Sequence, residues 1–294
     1  MDSVTDYASQ VQINDLSHLQ EKLEEYRYSY STSWAFRGMG NAEWTLQPSL
    51  ERLNINPFVV ETAEQYLLTT FQRRVHHYVS DPPDKDDILE WLALQQHHGA
   101  PTRLLDWTKS PYVALFFALD ERRDENGNCA LWAVDLQWCK EQAIQQIEQR
   151  GITGIDREES LAKPDTFRNV FFREPGTALP LVAPLQPFRM NQRLTIQQGL
   201  FLCPGDLSRS FESNLLEFQT HDFSNHVRKL VIQNNLRVDI LEMLNQMNIN
   251  RASLFPGIDG FAQSLINNVQ TVTARYKLPT ERRRLNTYME FGFL

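Results

Sequence analysis

Apolar residues recur at helical spacing along much of the chain, and turn or capping residues separate these stretches. One stretch, residues 111–122, is apolar on nearly every side, which is typical of a buried helix. Asn56-Pro57 predicts the start of a helix. The apolar face of this helix is formed by Phe58, Ala63, Leu67, Phe71, Val75 and Tyr78. The other predicted helices are 18–29 with Ser17 as N-cap and Gln20 in a capping box, 86–98, 137–150, and a helical region over 235–280 around the loop "LFPGIDG".

Shorter apolar and aromatic runs lie between the helices and have the length of strands. They are "SWAFRG" (33–38), "CALWAVDL" (129–136), "NVFFRE" (169–174), part of "RLTIQQGLFLCPG" (193–205) and "VRKLVIQ" (227–233). This mixture predicts an α+β fold, with a small mixed or antiparallel sheet surrounded by helices. We find no repeats and no flexible linker. We therefore expect one α+β domain over residues 1–260 and a helical C-terminal extension, 261–294, packed on it.

Composition supports a folded protein and limits its partners. The 294 residues are 41% hydrophobic and include 17 Phe, enough for a substantial core. The net charge of −8 argues against broad binding to a nucleic-acid backbone, although a local basic cleft is compatible with it. Three cysteines without metal-like spacing fit a reducing compartment. With no signal peptide and no apolar run long enough to span a bilayer, we expect a cytoplasmic protein without a membrane partner.

Arg37 is a charged residue inside a strand that should lie in the middle of the sheet. Arginine is seldom buried unless it is paired. Arg37 therefore either meets a buried carboxylate or reaches into a cleft to hold an anion, and the strand pattern leaves both interpretations open. The planar guanidinium is suited to phosphate recognition.

The stretch "LALQQHHGAPTRLLDWTKSPYVALFFAL" (92–119) places many polar and aromatic groups on one short connection between two helices. Gly99 and the proline after it explain part of this composition, because they end a helix. Thr102, Arg103, Asp106 and Trp107 remain. One interpretation is an internal Arg103–Asp106 pair with Trp107 in the core, and the other is a binding wall for a ligand with a phosphate, a ribose and a flat ring.

Histidine and glutamine pairs are weaker signals. Adjacent residues on a helix diverge by roughly 100°, so His97 and His98 cannot chelate one metal together, and we expect no metal site. One of them, with His98 as the candidate, remains available as an acid or base in a pocket. Gln197 and Gln198 precede a glycine at a strand entrance, where alternation should turn one of the two amides inward.

The sequence lacks several common catalytic and nucleotide-binding motifs. There is no Gly-x-Ser-x-Gly motif, no Walker-type loop and no dinucleotide-fold glycine loop. A nucleotide ligand would therefore have to be bound by a different structural motif.

Three segments in this order resemble the FRG-domain family: "FRG" (36–38), the stretch at 92–119, and "QQGLF" (197–201). The likeness extends over roughly residues 20–260. It implies a compact α+β domain of bacterial and phage-related proteins, often encoded near toxin or phage-defence modules. The three-segment layout is also similar to that of ADP-ribosyltransferases, which implies an ADP-ribosyltransferase-like core and NAD as the substrate.

The ADP-ribosyltransferase-like layout assigns roles to named residues. Arg37 with Gly38 would be the first NAD-binding element, and Thr102 with Arg103 nearby the second. Gln197 or Gln198 would occupy the third, where a strand offers a glutamate or another polar residue. Asp106 and Trp107 would complete the cofactor wall, and Trp107 or Trp34 would stack on a ring of the ligand.

Glutamine in the third position is a departure, because a glutamate would stabilise the cationic sugar directly. Glu43 or Glu174 is a candidate for the missing carboxylate. The acceptor would be a macromolecule, either protein or nucleic acid, and an antitoxin or another regulatory protein is an expected partner of such an intracellular toxin.

Two other functions stay open on sequence grounds. A nucleic-acid-processing enzyme would use His98 or His97 as acid or base and Arg103 on phosphate. A non-catalytic nucleotide-sensing or interaction module would use the C-terminal "ERRRLNTYMEFGFL" (281–294) to contact a partner.

Overall fold

The fold is known from a computed structural model, which describes residues 3–27, 33–120, 127–152, 161–174, 176–218 and 221–265. The strands are β1 (Ser9–Ile13), β2 (Trp34–Met39), β3 (Leu105–Thr108), β4 (Cys129–Asp135), β5 (Val182–Leu185), β6 (Gly199–Pro204) and β7 (Val227–Ile232).

The helices lie before, between and after these strands. They are α1 (Val4–Tyr7), α2 (Leu16–Arg27), α3 (Val60–Arg74), α4 (Ile88–His97), α5 (Pro111–Asp120), α6 (Leu136–Gln149), α7 (Pro164–Phe171), α8 (Gln192–Ile196), α9 (Phe211–Leu216), α10 (Phe223–His226), α11 (Arg237–Gln246) and α12 (Arg251–Leu254). Short 3-10 turns occur at Glu51–Leu53, Val75–His77 and Asn234–Leu236. Among the described residues, no helix is long and apolar enough to cross a membrane.

All seven strands form one mixed sheet in the order β1-β7-β4-β2-β3-β6-β5. β1 runs parallel to β7, and every other neighbouring pair is antiparallel. Helices pack on both faces, so the predicted α+β fold is confirmed, with a larger sheet than expected.

The sheet is nearly interrupted between β2 and β3. β2 pairs with β4 through six residues, but it pairs with β3 only where Phe36 meets Thr108. Away from that point the two strands diverge. The divergence leaves a gap in the middle of the sheet, and the cleft described below opens there.

Alternation along β2 assigns its side chains to two cores. Ala35 and Met39 belong to the core on one face, which includes residues of α4, α6 and α7. Trp34 and Phe36 belong to the core on the other face, beside α2, α5 and α11. The odd-even alternation of a strand therefore places Arg37 on the first face.

Helix α5 lies so close to β2 that only glycine fits at position 38. A Cβ atom built on Gly38 would lie 1.8 Å from the Ala114 carbonyl oxygen and 2.6 Å from the Ala118 nitrogen. Both are backbone atoms, which cannot rotate away. The glycine of "FRG" is thus required by strand–helix packing.

Three local predictions are corrected. "NVFFRE" was expected to be a strand, but Asn169–Phe171 end helix α7, whose buried residues are Phe167, Val170 and Phe171 at helical spacing. Helix α2 begins at Leu16, before the predicted cap Ser17, and the backbone nitrogen of His18 donates to the Asp15 carboxylate at 2.8 Å.

The face predicted for α3 is also displaced. Phe58 precedes the helix and is 94% exposed, and Tyr78 follows it and is 86% exposed. The buried residues of the helix are Val60, Glu64 and Leu68. The predicted extension 261–294 falls almost entirely outside the described residues, so its boundary stays a prediction, and so does the role of the tail at 281–294.

Candidate functional site

A cleft of about 870 Å³ opens where β2 and β3 diverge. Its walls come from β2, the segment 40–52, β3, α4, α5, α8, the start of β6 and the segment 251–255. Four arginines and one histidine line it, against two aspartates. These ionisable residues are Arg37, Arg52, His97, Asp106, Asp120, Arg193 and Arg251. In a chain of net charge −8, the cleft is a local concentration of positive charge.

Arg37 spans the gap between the two strands. Its Nη1 donates to the backbone oxygen of Asp106 at 2.6 Å, so the guanidinium bridges β2 and β3 at their divergence. The residue is half-buried and lines the cleft. Of the two interpretations of the sequence, the structure supports a cleft-facing arginine that is anchored through a backbone carbonyl.

Asp106 and Trp107 follow one another on β3 and differ in exposure. The Asp106 side chain is exposed and lines the cleft, whereas Trp107 is only 3% exposed. The indole nitrogen of Trp107 has no hydrogen-bond partner among the described residues. Trp107 borders the cleft mainly as a wall of the core, and Asp106 brings a carboxylate to its surface.

Arg103 does not reach the cleft. Its guanidinium forms a buried ion pair with Glu64, with Nε 2.9 Å from Oε1, and its Nη1 donates to the carbonyl of Phe171 at 2.9 Å. Both side chains of the pair are 2% exposed. The partner is thus Glu64 on α3, and not Asp106 as the internal-pair interpretation proposed. We call this Glu64–Arg103 pair the brace.

Thr102 is likewise part of the scaffold. It is fully buried, and its hydroxyl is bonded to the side chain of Gln96 and accepts from the Leu104 nitrogen at 3.2 Å. Its backbone nitrogen donates to the Ser49 hydroxyl at 2.9 Å. Gln96 lines the cleft and Thr102 stands behind it.

The two histidines at the end of α4 point in different directions, as expected for adjacent residues of a helix. His97 lines the cleft, and His98 does not. Burial lowers the pKa of His97 below its usual 6.5, and the positive charges of His98 and Arg193 lower it further. A neutral imidazole at the cleft surface can accept a proton. Within the described residues, no group of three or more His, Cys, Asp and Glu side chains is arranged to hold a metal ion.

Gln197 and Gln198 follow helix α8, and β6 begins only after them, at Gly199. Gln197 lines the cleft, and its amide nitrogen donates to the carbonyl of Leu254 at 3.0 Å. Gln198 is exposed, has a positive φ of 50° and does not line the cleft. The amide of Gln197 therefore joins α8 to the end of α12.

Sequence reasoning missed Arg193, Arg251 and Phe255. The Arg193 guanidinium lies 4.5 Å from the Phe255 ring centroid, and that of Arg251 lies 4.8 Å from it. Arg251 is also ion-paired with Asp120 and donates from Nε to Gln263 at 2.8 Å. No local sequence pattern predicts that these three residues meet, because they come from α8, α12 and the residue after α12.

The FRG-domain family model matches residues 32–127. The chain contains an FRG domain. Comparison with curated proteins and with solved structures found no match.

The FRG domain supplies only part of the cleft. It spans β2, α3, α4, β3 and α5, and contributes Arg37, His97 and Asp106. Arg193 and Arg251 lie beyond the matched residues. The brace lies inside the FRG domain and ties α3 to the segment that leads into β3. The domain therefore needs the later part of the chain to complete the site.

Proposed function

We propose that this cleft binds NAD and that the protein is an ADP-ribosyltransferase-like enzyme acting on a macromolecule. The observation that carries the proposal is that Arg37 and Asp106 both line the cleft at the gap between β2 and β3, where Arg37 donates to the backbone carbonyl of Asp106. It supplies an anion-binding group and a carboxylate at one opening in the sheet. Arginine is the side chain best suited to hold a diphosphate, and NAD carries one between its two ribosyl groups.

The size and lining of the cleft support a dinucleotide. A volume of about 870 Å³ lies within the range of small-molecule and cofactor sites. Trp44 and Phe117 line it and offer aromatic surface for a base or for the nicotinamide ring. Trp34 belongs to the core on the α5 face and does not line the cleft, so it is not part of the proposal.

Asp106 fills the role for which sequence reasoning sought a glutamate. Glu43 and Glu174 do not line the cleft, whereas the Asp106 carboxylate does. In the proposed reaction the bond between ribosyl C1′ and the nicotinamide nitrogen breaks, and its electron pair leaves with nicotinamide. The sugar becomes an oxocarbenium-like cation that Asp106 stabilises by charge. A nucleophile of the acceptor then forms a bond to C1′ and loses its proton.

The test compares nicotinamide release from NAD by wild type, Asp106→Asn and Asp86→Asn. Asp86 is a matched control, because it is an exposed aspartate paired with Arg168 outside the cleft. We expect Asp106→Asn to lower the turnover rate by about 10²–10³-fold, the loss typical of removing one electrostatic stabiliser, and Asp86→Asn to leave it unchanged. A folded Asp106→Asn protein that releases nicotinamide at the wild-type rate would refute the assignment.

The acceptor and the biological setting are further parts of the proposal. We propose an intracellular protein or nucleic acid as acceptor, a bacterial toxin or phage-defence role, and an antitoxin or other regulatory protein as partner. The family resemblance supports these roles. Incubation with labelled NAD and cell extract, followed by nuclease or protease digestion, distinguishes the two acceptor classes.

A nucleic-acid-processing activity is the second candidate, and the position of His97 favours it. His97 lines the cleft and is close enough to Arg193 for that charge to lower its pKa. RNA cleavage that proceeds without NAD and stops in His97→Ala, but not in His98→Ala, would replace the first proposal with this one.

A further inference from the structure

Arg193 differs from the other arginines of the cleft because no residue in the described part of the chain provides its guanidinium with an acceptor. Arg37 donates to the Asp106 carbonyl, Arg52 to the Gln47 carbonyl, and Arg251 pairs with Asp120. The Arg193 guanidinium makes no hydrogen bond and no ion pair with any described residue. Among the described residues, the guanidinium lies against the ring of Phe255.

The surroundings of Arg193 make an unpaired cation unfavourable. Burial lowers its pKa, and Arg251 on the same ring lowers it further, whereas Asp106 opposes the change only in part. A half-buried guanidinium has lost part of its hydration, and proteins ordinarily compensate that loss with a hydrogen-bonded partner. An anion that enters the cleft would be such a partner.

The contacts around Arg193 hold its guanidinium in a defined place. Phe255 supports the guanidinium from one side and packs edge-on against Phe117, with centroids 6.0 Å apart. The Gln197 amide fixes the carbonyl of Leu254, the residue before Phe255. A guanidinium held against a ring keeps its N–H groups available for a planar, bidentate contact with phosphate oxygens.

We infer that Arg193 is a second diphosphate-recognition residue of the cleft, in addition to Arg37, and that it makes the cleft select nucleoside diphosphates and their conjugates over nucleosides. Arg251 adds positive charge beside it, and Arg37 acts at the gap between the strands. The inference rests on the proposed function in placing a nucleotide in this cleft. It assigns specificity to a residue outside the segment that the FRG family model matches.

Calorimetric titration of the full chain with ADP, inorganic pyrophosphate and adenosine tests the inference. We expect wild type to bind ADP more tightly than adenosine by about tenfold or more, which is a difference of about 1.4 kcal/mol in binding free energy. Arg193→Gln should remove that preference by weakening ADP and pyrophosphate while leaving adenosine unchanged. Arg193→Lys should keep part of it, because the charge stays and the bidentate geometry is lost.

Arg168→Gln is the matched control, since Arg168 is a half-exposed arginine paired with Asp86 away from the cleft. It should bind all three probes like wild type, and thermal melting checks that each variant is folded. The inference is overturned if wild type binds ADP no better than adenosine, or if folded Arg193→Gln retains the preference.

The same titrations, compared with the nicotinamide-release assay, separate this inference from the proposed reaction. If NAD is not cleaved but ADP binding depends on Arg193, the proposed function fails and the inference stands. If NAD is cleaved and Arg193→Gln binds and cleaves it as well as wild type, the proposed function stands and the inference fails.

Discussion

Arg103 and Arg193 show two opposite uses of an arginine. Arg103 lies in the most conspicuous stretch of the sequence, yet it is fully buried in the brace and donates to two carbonyls as well as to Glu64. Arg193 lies in an inconspicuous segment and lines an open cleft with no acceptor among the described residues. The residue that dominates the sequence pattern supports the scaffold, and the less conspicuous one faces the site.

The difference follows from what each position must satisfy. A buried charge requires a fixed partner and hydrogen bonds for every donor, which ties Arg103 to α3, α7 and β6. A cleft residue requires the opposite, because donors already saturated by the protein cannot bind a ligand. A motif rich in polar groups therefore indicates residues that the fold requires at least as readily as it indicates residues of a binding site.

The largest effect should come from breaking the brace. Glu64→Gln leaves the Arg103 guanidinium buried without a countercharge, and removing one partner of a buried pair typically costs about 3–5 kcal/mol. We expect the free energy of unfolding, measured by urea denaturation, to fall by that amount. The fraction that stays folded should bind NAD normally.

Glu61→Gln, on the same helix but only partly buried, is the control and should change stability far less. Equal urea midpoints for wild type and Glu64→Gln would show that the brace is not a determinant of stability.

A smaller effect is expected at the contact between β2 and α5. In Gly38→Ala the new methyl group would overlap the Ala114 carbonyl, and overpacking of this kind typically costs about 1–3 kcal/mol. The strand must move, and it carries Arg37, so both the melting temperature and NAD affinity should fall. A variant with unchanged melting temperature would show that α5 adjusts without cost.

The smallest effect concerns pH and the cleft alone. Because the pKa of His97 is lowered, the residue is neutral at pH 7 and gains its proton only below about 6.5. A protonated His97 adds positive charge beside Arg193, so NAD affinity should rise as pH falls below that value, by less than about tenfold. His97→Gln should remove the dependence, and His98→Gln should keep it. A pH-independent affinity in wild type would exclude His97 from ligand binding.

The elements best predicted from sequence are those with local signals. The Asp87 cap and Gly99, whose φ is 82°, mark the two ends of α4. The entirely buried strand β4 follows from its continuous apolar run. Helix α7 was missed because its face begins at Phe167, before the aromatic run that suggested a strand.

The candidate site was only partly predictable. Arg37 was identified as a charged residue within an apolar strand, and Asp106 as one of the polar residues on the connection within 92–119, where no strand was predicted. The partnership of Arg103 with Glu64, and the meeting of Arg193 with Phe255, depend on tertiary packing between residues distant in the chain. No periodicity encodes such contacts. The near-break between β2 and β3, which creates the cleft, is also a property of the assembled sheet.

NAD binding in this cleft should depend most directly on Arg37, and calorimetric titration of NAD into Arg37→Ala tests this dependence. Arg37 is only half-buried and donates to a backbone carbonyl, so the variant should keep the wild-type fold by circular dichroism. We predict that wild type binds NAD and that folded Arg37→Ala shows no measurable binding. Folded Arg37→Ala that binds NAD with wild-type affinity would contradict the proposal that this cleft is an NAD site.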